Sequence, residues 1–321
     1  MQRGNTLEQL PLSAEGQRAT IAEARKSLGT IILGKNDEIS LALACLLARG
    51  HLLIEDLPGL GKTMLAQALA RVLGLSYQRI QFTSDLLPAD IVGVSVFRQQ
   101  SAEFVFQPGP IFAQLVLADE VNRATPKAQS ALLEAMEEQQ VSVDGRTHAL
   151  PHPFFVVATQ NPSDQVGTFP LPESQLDRFL MRLELGYPNE ENERALITGT
   201  DRRKMLPTVA PALNPQLLEQ LQEETQRVHM SEPLIDYIQA LVRHTRESPE
   251  IETGLSPRGA LALVAAAKSH AFIEHHPGVF PDDVQAVFSA VAGHRLKPAS
   301  GSSFRSPLEL TRHVLASVAI P

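Results

Sequence analysis

A glycine-rich loop between a short apolar strand and an amphipathic helix constrains the fold of this chain more than any other feature. The segment His51-Leu-Leu-Ile-Glu55 is typical of a strand, and residues 62–73 place their apolar side chains on one helical face. The connecting loop reads Asp56-Leu-Pro-Gly-Leu-Gly-Lys-Thr63. Glycines let backbone N–H groups approach phosphate oxygens, and the helix N-terminus adds partial positive charge. The sequence therefore predicts a phosphate-binding loop in an α/β fold.

Within this loop, Lys62 is expected to reach the β- and γ-phosphates, and the Thr63 hydroxyl is expected to bind Mg²⁺. An exposed lysine in an ordinary helix start is the alternative, but a cation in the first turn opposes the helix dipole. One residue departs from the usual pattern, because Asp56 stands where a glycine is expected. Its carboxylate must therefore point away from the polyphosphate. The other residues predicted to contact the nucleotide here are Pro58, Gly59, Leu60, Gly61 and Met64.

Polar side chains also follow two further buried strands. The apolar run at residues 115–118 ends in Asp119 and Glu120, and the run at residues 154–158 is followed by Asn161. Carboxylates at a strand's C-terminal end face the crevice where α/β proteins bind ligands. Asp119 suits the Mg²⁺ shell and Glu120 a general base acting on water, although a helix-capping role for the pair is the alternative. Asn161 is predicted to bind water or a γ-phosphate oxygen, or else to be a turn residue.

Two arginines complete the candidate phosphate ligands. Arg178 lies in a helix-like stretch, where the neighbouring Asp177 could pair locally. Arg258 follows a Ser256 N-cap and Pro257 at the first helical position. A cation there opposes the helix dipole by about 0.3–1 kcal/mol, a penalty that a bound phosphate would reverse. Arg258 is therefore the better-supported contact on these grounds.

The organisation of the chain predicts two domains and a tail. Strand and helix patterns alternate through residues 1–188, which predicts an α/β domain with a parallel sheet. Two hairpins interrupt the alternation, one at residues 94–107 and one at residues 140–149 around an Asp-Gly turn. Residues 189–297 contain helical patterns only and predict a separate all-α domain. Residues 298–321 are expected to form a C-terminal tail of unassigned role, and residues 1–20 a loose lead-in.

Composition excludes several classes of protein. A formal net charge of −8 argues against a broad basic surface for nucleic acid, without excluding a local basic groove. The single cysteine, Cys45, excludes an internal disulfide framework and a cysteine-based zinc site. The longest apolar run, residues 39–48, is about half the length of a membrane span, and the N-terminal segment lacks a signal-peptide pattern. A cytoplasmic protein without a membrane span is the expectation.

The stretch LADEVNRATPKAQSALLEAMEEQQVSVDG, with the later ATQNP and GTFPLPESQLDRFLMRL, resembles the MoxR family of AAA+ ATPases. The resemblance covers nearly the whole chain, from Ile32-Leu-Gly34-Lys35 to the helix of Arg258. It implies a P-loop αβα sandwich with two inserted hairpins, a small helical lid and a homo-oligomeric ring, usually a hexamer. ATP and Mg²⁺ are the implied ligands.

The resemblance also implies a role for each matching residue. Lys62 and Thr63 match the phosphate loop, and Asp119 and Glu120 match the magnesium-binding and water-activating acids. The first sensor of the family corresponds to Asn161.

The resemblance assigns roles to residues elsewhere in the chain as well. Arg178 matches the arginine finger that reaches a neighbouring subunit's γ-phosphate, with Arg123 as a weaker candidate. Arg258 matches the second sensor on the lid, so that ATP would touch both domains. Residues 31–36, with Gly34, resemble the segment that lines the adenine. The two hairpins would face the pore of the ring.

ATP hydrolysis that drives a remodelling or chaperone-like motor is the function implied by this resemblance. Relatives often act with von Willebrand factor A domain proteins to mature other enzymes or insert metal cofactors. The motor subunit of a metal chelatase is one alternative. A nucleotide-gated binding module without hydrolysis is another, although the Asp119-Glu120 pair counts against it. A DNA-remodelling motor is less expected because of the acidic charge.

Overall fold

The computed structural model describes residues 14–162, 167–304 and 306–320. The predicted lead-in therefore lies mostly outside the described residues. The strands of the described chain are β1 Leu52–Glu55, β2 Tyr77–Gln81, β3 Gly93–Arg98, β4 Glu103–Pro108, β5 Leu115–Asp119, β6 Gln140–Val143, β7 Arg146–Ala149, β8 Phe155–Gln160, β9 Met181–Leu183, β10 Ile251–Thr253 and β11 Lys297–Pro298. The α-helices are α1 Ala14–Ile31, α2 Asn36–Leu47, α3 Lys62–Val72, α4 Pro88–Val92, α5 Pro126–Glu138, α6 Glu173–Leu176, α7 Glu190–Thr198, α8 Arg202–Met205, α9 Pro215–Gln226, α10 Glu232–Glu247, α11 Pro257–Ile273, α12 Pro281–Ala292 and α13 Pro307–Ser317.

A five-stranded parallel sheet forms the centre of the larger domain, with the strand order β2-β5-β8-β1-β9. Every residue of β5 is buried, and so are the first five of β8, which accounts for their continuous apolar sequence. Helices pack on the sheet, which gives the predicted α/β sandwich. All five strands are parallel, so their carboxyl ends lie at one edge of the sheet and their amino ends at the other.

Two strands of this sheet were missed by the sequence analysis. The edge strand β2 has the sequence YQRIQ, and Ile80 is its one fully buried residue. Strand β9, on the opposite edge, has three residues. Neither is long or apolar enough for an alternating or continuous pattern to stand out. Their positions matter, because both strands carry or precede residues of the candidate site.

Both predicted hairpins are present as separate two-stranded antiparallel sheets. The first pairs β3 with β4, and its exposed face carries the Phe97 and Phe104 rings, whose centroids are 5.2 Å apart. The second pairs β6 with β7 with the bounds that the sequence predicts. Asp144 adopts a left-handed conformation, with φ of 51°, beside Gly145 at 73°, as an Asp-Gly hairpin turn requires.

The helical lid extends further than the sequence predicts. Helix α13 packs on α10 and α12, and its Leu310 and Val314 are buried in the same core. The segment expected to be a separate tail is therefore largely part of the lid. The predicted all-α domain also contains one short antiparallel pair, β10 with β11. Strand β10 has three residues and β11 has two, which is too short for a strand pattern to be recognised in the sequence.

The lid and the larger domain are joined by packing as well as by the chain. Helix α2 of the larger domain packs against α9 and α11 of the lid, and α1 also contacts α11. Buried residues of these helices belong to one hydrophobic cluster with strands β1 and β8. Among the described residues, no helix is both long and apolar enough to cross a membrane.

Candidate functional site

Three of the predicted residues meet at the carboxyl edge of the sheet. The Lys62 ammonium donates to Asn161 Oδ1 at 2.6 Å, and Asn161 Nδ2 donates to Glu120 Oε1 at 3.3 Å. Lys62 begins α3 after the loop that follows β1, while Glu120 and Asn161 follow β5 and β8. Parallel strands end together, so residues distant in sequence form one polar cluster. The ammonium also donates to the carbonyls of Asp56 and Leu57.

Asp119 lies beside this cluster and is nearly fully buried. Its Oδ1 accepts a hydrogen bond of 2.5 Å from the Thr159 hydroxyl, and its Oδ2 pairs with Arg79 at 2.6 Å. The Thr159 hydroxyl in turn accepts from the backbone N–H of Glu120 at 2.9 Å. Thr159 therefore fixes the two adjacent acids relative to each other, and Arg79 compensates the buried charge of Asp119.

Glu120 has a strained backbone and a well-defined side chain. Its φ of 58° lies in the left-handed region, which is unusual for a residue other than glycine. The carboxylate accepts from Gln81 Nε2 at 3.0 Å and pairs with Arg123 at 3.2 Å, both through Oε2. Arg123 thus contacts an acid of its own chain. A carboxylate held by three neighbours can be aimed at a water molecule.

The loop itself is open on the side that faces away from the protein. Gly59 and Gly61 have φ of 86° and 92°, and a Cβ on either would meet no atom within 4 Å. Gly61 is the N-cap of α3, so the helix N-terminus points at this open side. Pro58 is exposed, Leu60 is half-buried, and Met64 packs on the core below α3. An anion can therefore approach backbone N–H groups without displacing a side chain.

Asp56 points away from that open side, as the sequence analysis requires. Its Oδ2 accepts from the backbone N–H groups of Leu185 at 2.6 Å and Gly186 at 2.7 Å. Its Oδ1 accepts from the backbone N–H of Leu57 at 2.8 Å. The carboxylate therefore ties the start of the phosphate loop to the segment that leads from β9 into α7.

The donor set at this edge is suited to Mg²⁺. Thr63 is the second residue of α3 and supplies a hydroxyl, while Asp119 supplies a carboxylate. Mg²⁺ in nucleotide sites is commonly held by one or two protein oxygens together with phosphates and water. In the part of the chain that the structure describes, no group of three or more His, Cys, Asp or Glu side chains could hold a metal by itself. The site fits a metal that arrives with a polyphosphate.

The segment predicted to line the adenine lies next to the start of α7. Gly34 has a φ of 69°, and a Cβ there would overlap the side chain of Asn192. Lys35 donates to the Tyr187 carbonyl at 3.1 Å. Glycine is therefore needed at position 34 both for its backbone conformation and for the close approach of α7.

Arg178 and Arg258 do not join the phosphate-loop cluster. Arg178 Nη2 lies 2.9 Å from Glu137 Oε2, and Arg258 Nη2 lies 2.8 Å from Glu137 Oε1. Arg178 precedes β9, and Glu137 lies in the last turn of α5, so all three residues are at the amino edge of the sheet. Strands of four to six residues separate this edge from the carboxyl edge by about 15 Å.

The expectation that ATP touches both domains of one chain through Arg258 is therefore not met. Helix α11 starts beside the last turn of α5 rather than beside the phosphate loop, and this position follows from its packing on α2 and α12. The arginine that the sequence places on the lid thus shares its location with the predicted finger.

His51 anchors the end of α5 to the sheet. Its Nε2 donates to the Met136 carbonyl at 3.1 Å, and its Nδ1 accepts from the backbone N–H of Val156 at 3.0 Å. Burial lowers the pKa of this imidazole from 6.5 to about 4, because the charged form would lose its hydration. The neutral ring fixes the position of the turn that carries Glu137.

Arg295 holds the segment around Arg178 from the lid side. Its side chain is 4% exposed, and Nε binds Asp177 Oδ1 at 2.7 Å. Nη2 donates to the Phe179 carbonyl at 2.7 Å. The Ser256 hydroxyl donates to the other oxygen of Asp177 at 3.3 Å. Two parts of the lid, Ser256 at the start of α11 and Arg295 after α12, therefore contact the residues that flank Arg178.

Several residues of these two clusters were missed by the sequence analysis. Thr159 belongs to the polar end of the β8 segment and could have been included with Asn161. Gln81 and Arg79 could have been found only by recognising β2. For Glu137, which lies in the acidic stretch EAMEEQQ, and for Arg295, the sequence carries no distinguishing signal.

Comparisons with known proteins agree with this architecture. Residues 51–181 match the family model for ATPases associated with various cellular activities, and residues 243–312 match an AAA lid domain. The chain is 40% identical to the chaperone MoxR1 of Mycobacterium tuberculosis, over 97% of this chain and 86% of that protein. It is 32% identical to the protein MoxR of Paracoccus denitrificans, over 87% of this chain and 88% of that protein.

An uncharacterized protein, YeaC of Bacillus subtilis, is 43% identical over 94% of this chain and 95% of its own length. The crystal structure of a candidate ATPase from Cytophaga hutchinsonii superposes on this chain with a TM-score of 0.87 at 34% sequence identity. The superposition covers 96% of this chain and 97% of that one. Sequence and structure are thus similar over nearly the whole length of both domains, and the chain belongs to the MoxR family of AAA+ ATPases.

Proposed function

We propose that this protein hydrolyses ATP, with Mg²⁺, in a ring of identical subunits, and that the ring remodels partner proteins. One observation carries the proposal. The residues suited to bind a triphosphate and to activate the attacking water lie at the carboxyl edge of the sheet. Two arginines of the predicted set, Arg178 and Arg258, lie at the amino edge. One chain therefore holds the two parts of a site on opposite sides, and adjacent copies would bring them together.

In the proposed reaction, loop N–H groups and Lys62 bind the phosphates, and Glu120 accepts a proton from the attacking water. Asn161, which contacts both Lys62 and Glu120, positions that water. Mg²⁺, held through Thr63 and Asp119, supplies charge neutralisation of the phosphates. To bind ATP, Lys62 leaves the loop carbonyls that it contacts in this structure.

Arg178 and Arg258 would come from the neighbouring copy and stabilise the charge that develops on the γ-phosphate. A finger of this kind is worth about 10³–10⁵ in rate, so an isolated subunit should be nearly inactive. Exposed apolar side chains on both sides support contacts between copies. Leu261, one turn after Arg258, is 71% exposed, and Tyr187 and Ile197, which lie between β9 and the end of α7, are 72% and 78% exposed. A hexamer is the expected ring.

The client is proposed to be a protein, in keeping with the name of the mycobacterial chaperone relative. The exposed Phe97 and Phe104 of the β3–β4 hairpin offer an apolar surface for binding an unfolded segment of the client. A von Willebrand factor A domain protein is the proposed partner, and maturation of an enzyme by metal insertion is one outcome of such remodelling. We propose that this takes place in the cytoplasm.

Mixing two inactive variants tests the arrangement of the site. Lys62→Ala removes phosphate binding but keeps both arginines, and Arg178→Ala keeps the phosphate loop but removes the finger. In random mixed rings, about a quarter of the interfaces join an intact loop to an intact Arg178. ATPase activity should therefore appear on mixing, to about a quarter of the wild-type rate. Absence of activity in mixtures that form rings would refute the shared site. Mixing Arg258→Ala with Lys62→Ala applies the same test to Arg258.

A further inference from the structure

The carboxylate of Glu137 contacts two cations that come from different domains. Arg178 belongs to the larger domain and reaches Oε2, while Arg258 begins the lid helix α11 and reaches Oε1. Each guanidinium occupies one oxygen, so the two arginines are held side by side. Two like charges at this separation would repel each other without the acid between them.

The local charges leave this cluster with an excess of positive charge. Asp177, which precedes Arg178, is bound by Arg295, whose side chain is 4% exposed. Two guanidiniums and one carboxylate carry a net charge of about +1, and the side chains of Arg178, Arg258 and Glu137 are 30%, 52% and 37% exposed. An incoming anion can therefore reach both arginines from solvent.

The backbone turn that carries Glu137 is hydrogen-bonded to the residue that precedes β1. Glu137 follows Met136, whose carbonyl is bound by the buried His51, and it precedes β6 of the second hairpin. The arginines are anchored as well, because Arg295 and Ser256 bind the residue before Arg178. A fixed carboxylate can therefore set the direction of both guanidiniums.

We infer that Glu137 is a positioning residue, which gathers Arg178 and Arg258 into one receptor for the γ-phosphate of the neighbouring subunit. The inference rests on the proposed function, because it assumes ATP bound by an adjacent copy. As that phosphate arrives, each guanidinium keeps its Nη2 contact with Glu137 and offers its remaining N–H donors to the phosphate oxygens. Glu137 touches no reacting atom and acts only through the two arginines.

Glu137→Gln tests this inference, with Glu138→Gln as the matched control on the next, exposed residue. We expect kcat for ATP to fall about tenfold in Glu137→Gln, with KM for ATP within about twofold of wild type, because the phosphate loop is unchanged. Glu137→Asp should recover part of the lost rate. Thermal melting and ring formation should match those of the control. In an Arg258→Ala background, the effect of Glu137→Gln should shrink, because the two residues act as a unit.

The outcomes separate the inference from the proposed function. An inactive wild-type ring would refute the proposed function. Should the wild type be active and Glu137→Gln match Glu138→Gln in kcat, the positioning role would be overturned while the function stood. A rise in kcat would also overturn it, because Glu137 would then compete with the phosphate. Equal effects of Glu137→Gln with and without Arg258 would show that the carboxylate does not act through that arginine.

Discussion

Replacing Asp56 by asparagine should destabilise the larger domain while leaving nucleotide binding nearly intact. Asp56 occupies a position where the phosphate-loop pattern expects glycine, so a role in nucleotide binding is the obvious first hypothesis. The structure instead gives the carboxylate three backbone donors, Leu57, Leu185 and Gly186, at 2.6–2.8 Å. Asp56 is 8% exposed, so its carboxylate has little access to water.

The size of the effect follows from these contacts. A hydrogen bond to a charged group contributes about 1.5–3 kcal/mol, and a neutral one about 0.5–1.5 kcal/mol. Asparagine has a single acceptor oxygen, so it loses one bond outright and weakens the other two. Partial hydration recovers some of this loss, which leaves an expected destabilisation of about 2–3 kcal/mol. For a domain of this size that corresponds to about 5–10 °C in Tm.

Thermal melting and the affinity for a fluorescent ATP analogue measure the two effects separately. Asp144→Asn is the matched control, because Asp144 is exposed in a hairpin turn that asparagine also suits. The Kd of the Asp56→Asn variant for the analogue should stay within about threefold of wild type, since the carboxylate faces away from the phosphates. The reasoning fails if Asp56→Asn melts within 1 °C of Asp144→Asn, or if Asp56→Gly, which restores the glycine, is more stable than wild type.

Two further predictions concern His51 and Thr159. Because burial lowers the pKa of His51 from 6.5 to about 4, the unfolded chain binds a proton that the folded chain rejects, and stability is lost as the pH falls through this range. Between pH 7 and pH 5 this group should cost about 2 kcal/mol of unfolding free energy, measured by urea denaturation. The loss should be smaller by that amount in His51→Asn and unchanged in the exposed control His229→Asn, while the part that comes from the buried His294, whose pKa burial also lowers, should remain in both. Thr159→Val removes the hydroxyl between Asp119 and the Glu120 backbone, so kcat should drop about tenfold while Thr159→Ser stays near wild type; an unchanged rate in the valine variant would contradict the assigned role.

Local sequence patterns predicted the carboxyl-edge cluster because its geometry follows from topology alone. Each of the strands β1, β5 and β8 is apolar and ends in a polar group, and parallel strands bring their ends together. The same reasoning could not find Gln81 or Arg79, because β2 has the composition of a solvent-exposed edge strand. The orientation of Asp56 could be predicted because its negative charge must avoid the phosphates. Its partners, the N–H groups of Leu185 and Gly186, could not be predicted because their position depends on the path of the chain after β9.

The amino-edge cluster could not be predicted, because it depends on how two domains pack. The position of Arg258 is set by the docking of α11 on α2, a contact between helices that are far apart in sequence. Glu137 is one of two adjacent acids at the end of α5, and only its neighbours in space distinguish it from Glu138. Periodicity identifies α11 with its observed bounds, but it carries no information on the helix that α11 meets.

The separation of the two clusters has a consequence for assembly. Because the two clusters lie at opposite edges of the sheet, we expect their contact to form a heterologous interface, in which a pair of copies completes one site and leaves one loop and one pair of arginines unused. A dimer with two-fold symmetry would have to bring both clusters of each copy into a single interface, and their positions at opposite edges of the sheet disfavour this. Closure of a head-to-tail chain into a ring satisfies every copy, whereas an open filament leaves its ends inactive. Activity should therefore rise with subunit concentration in step with ring formation.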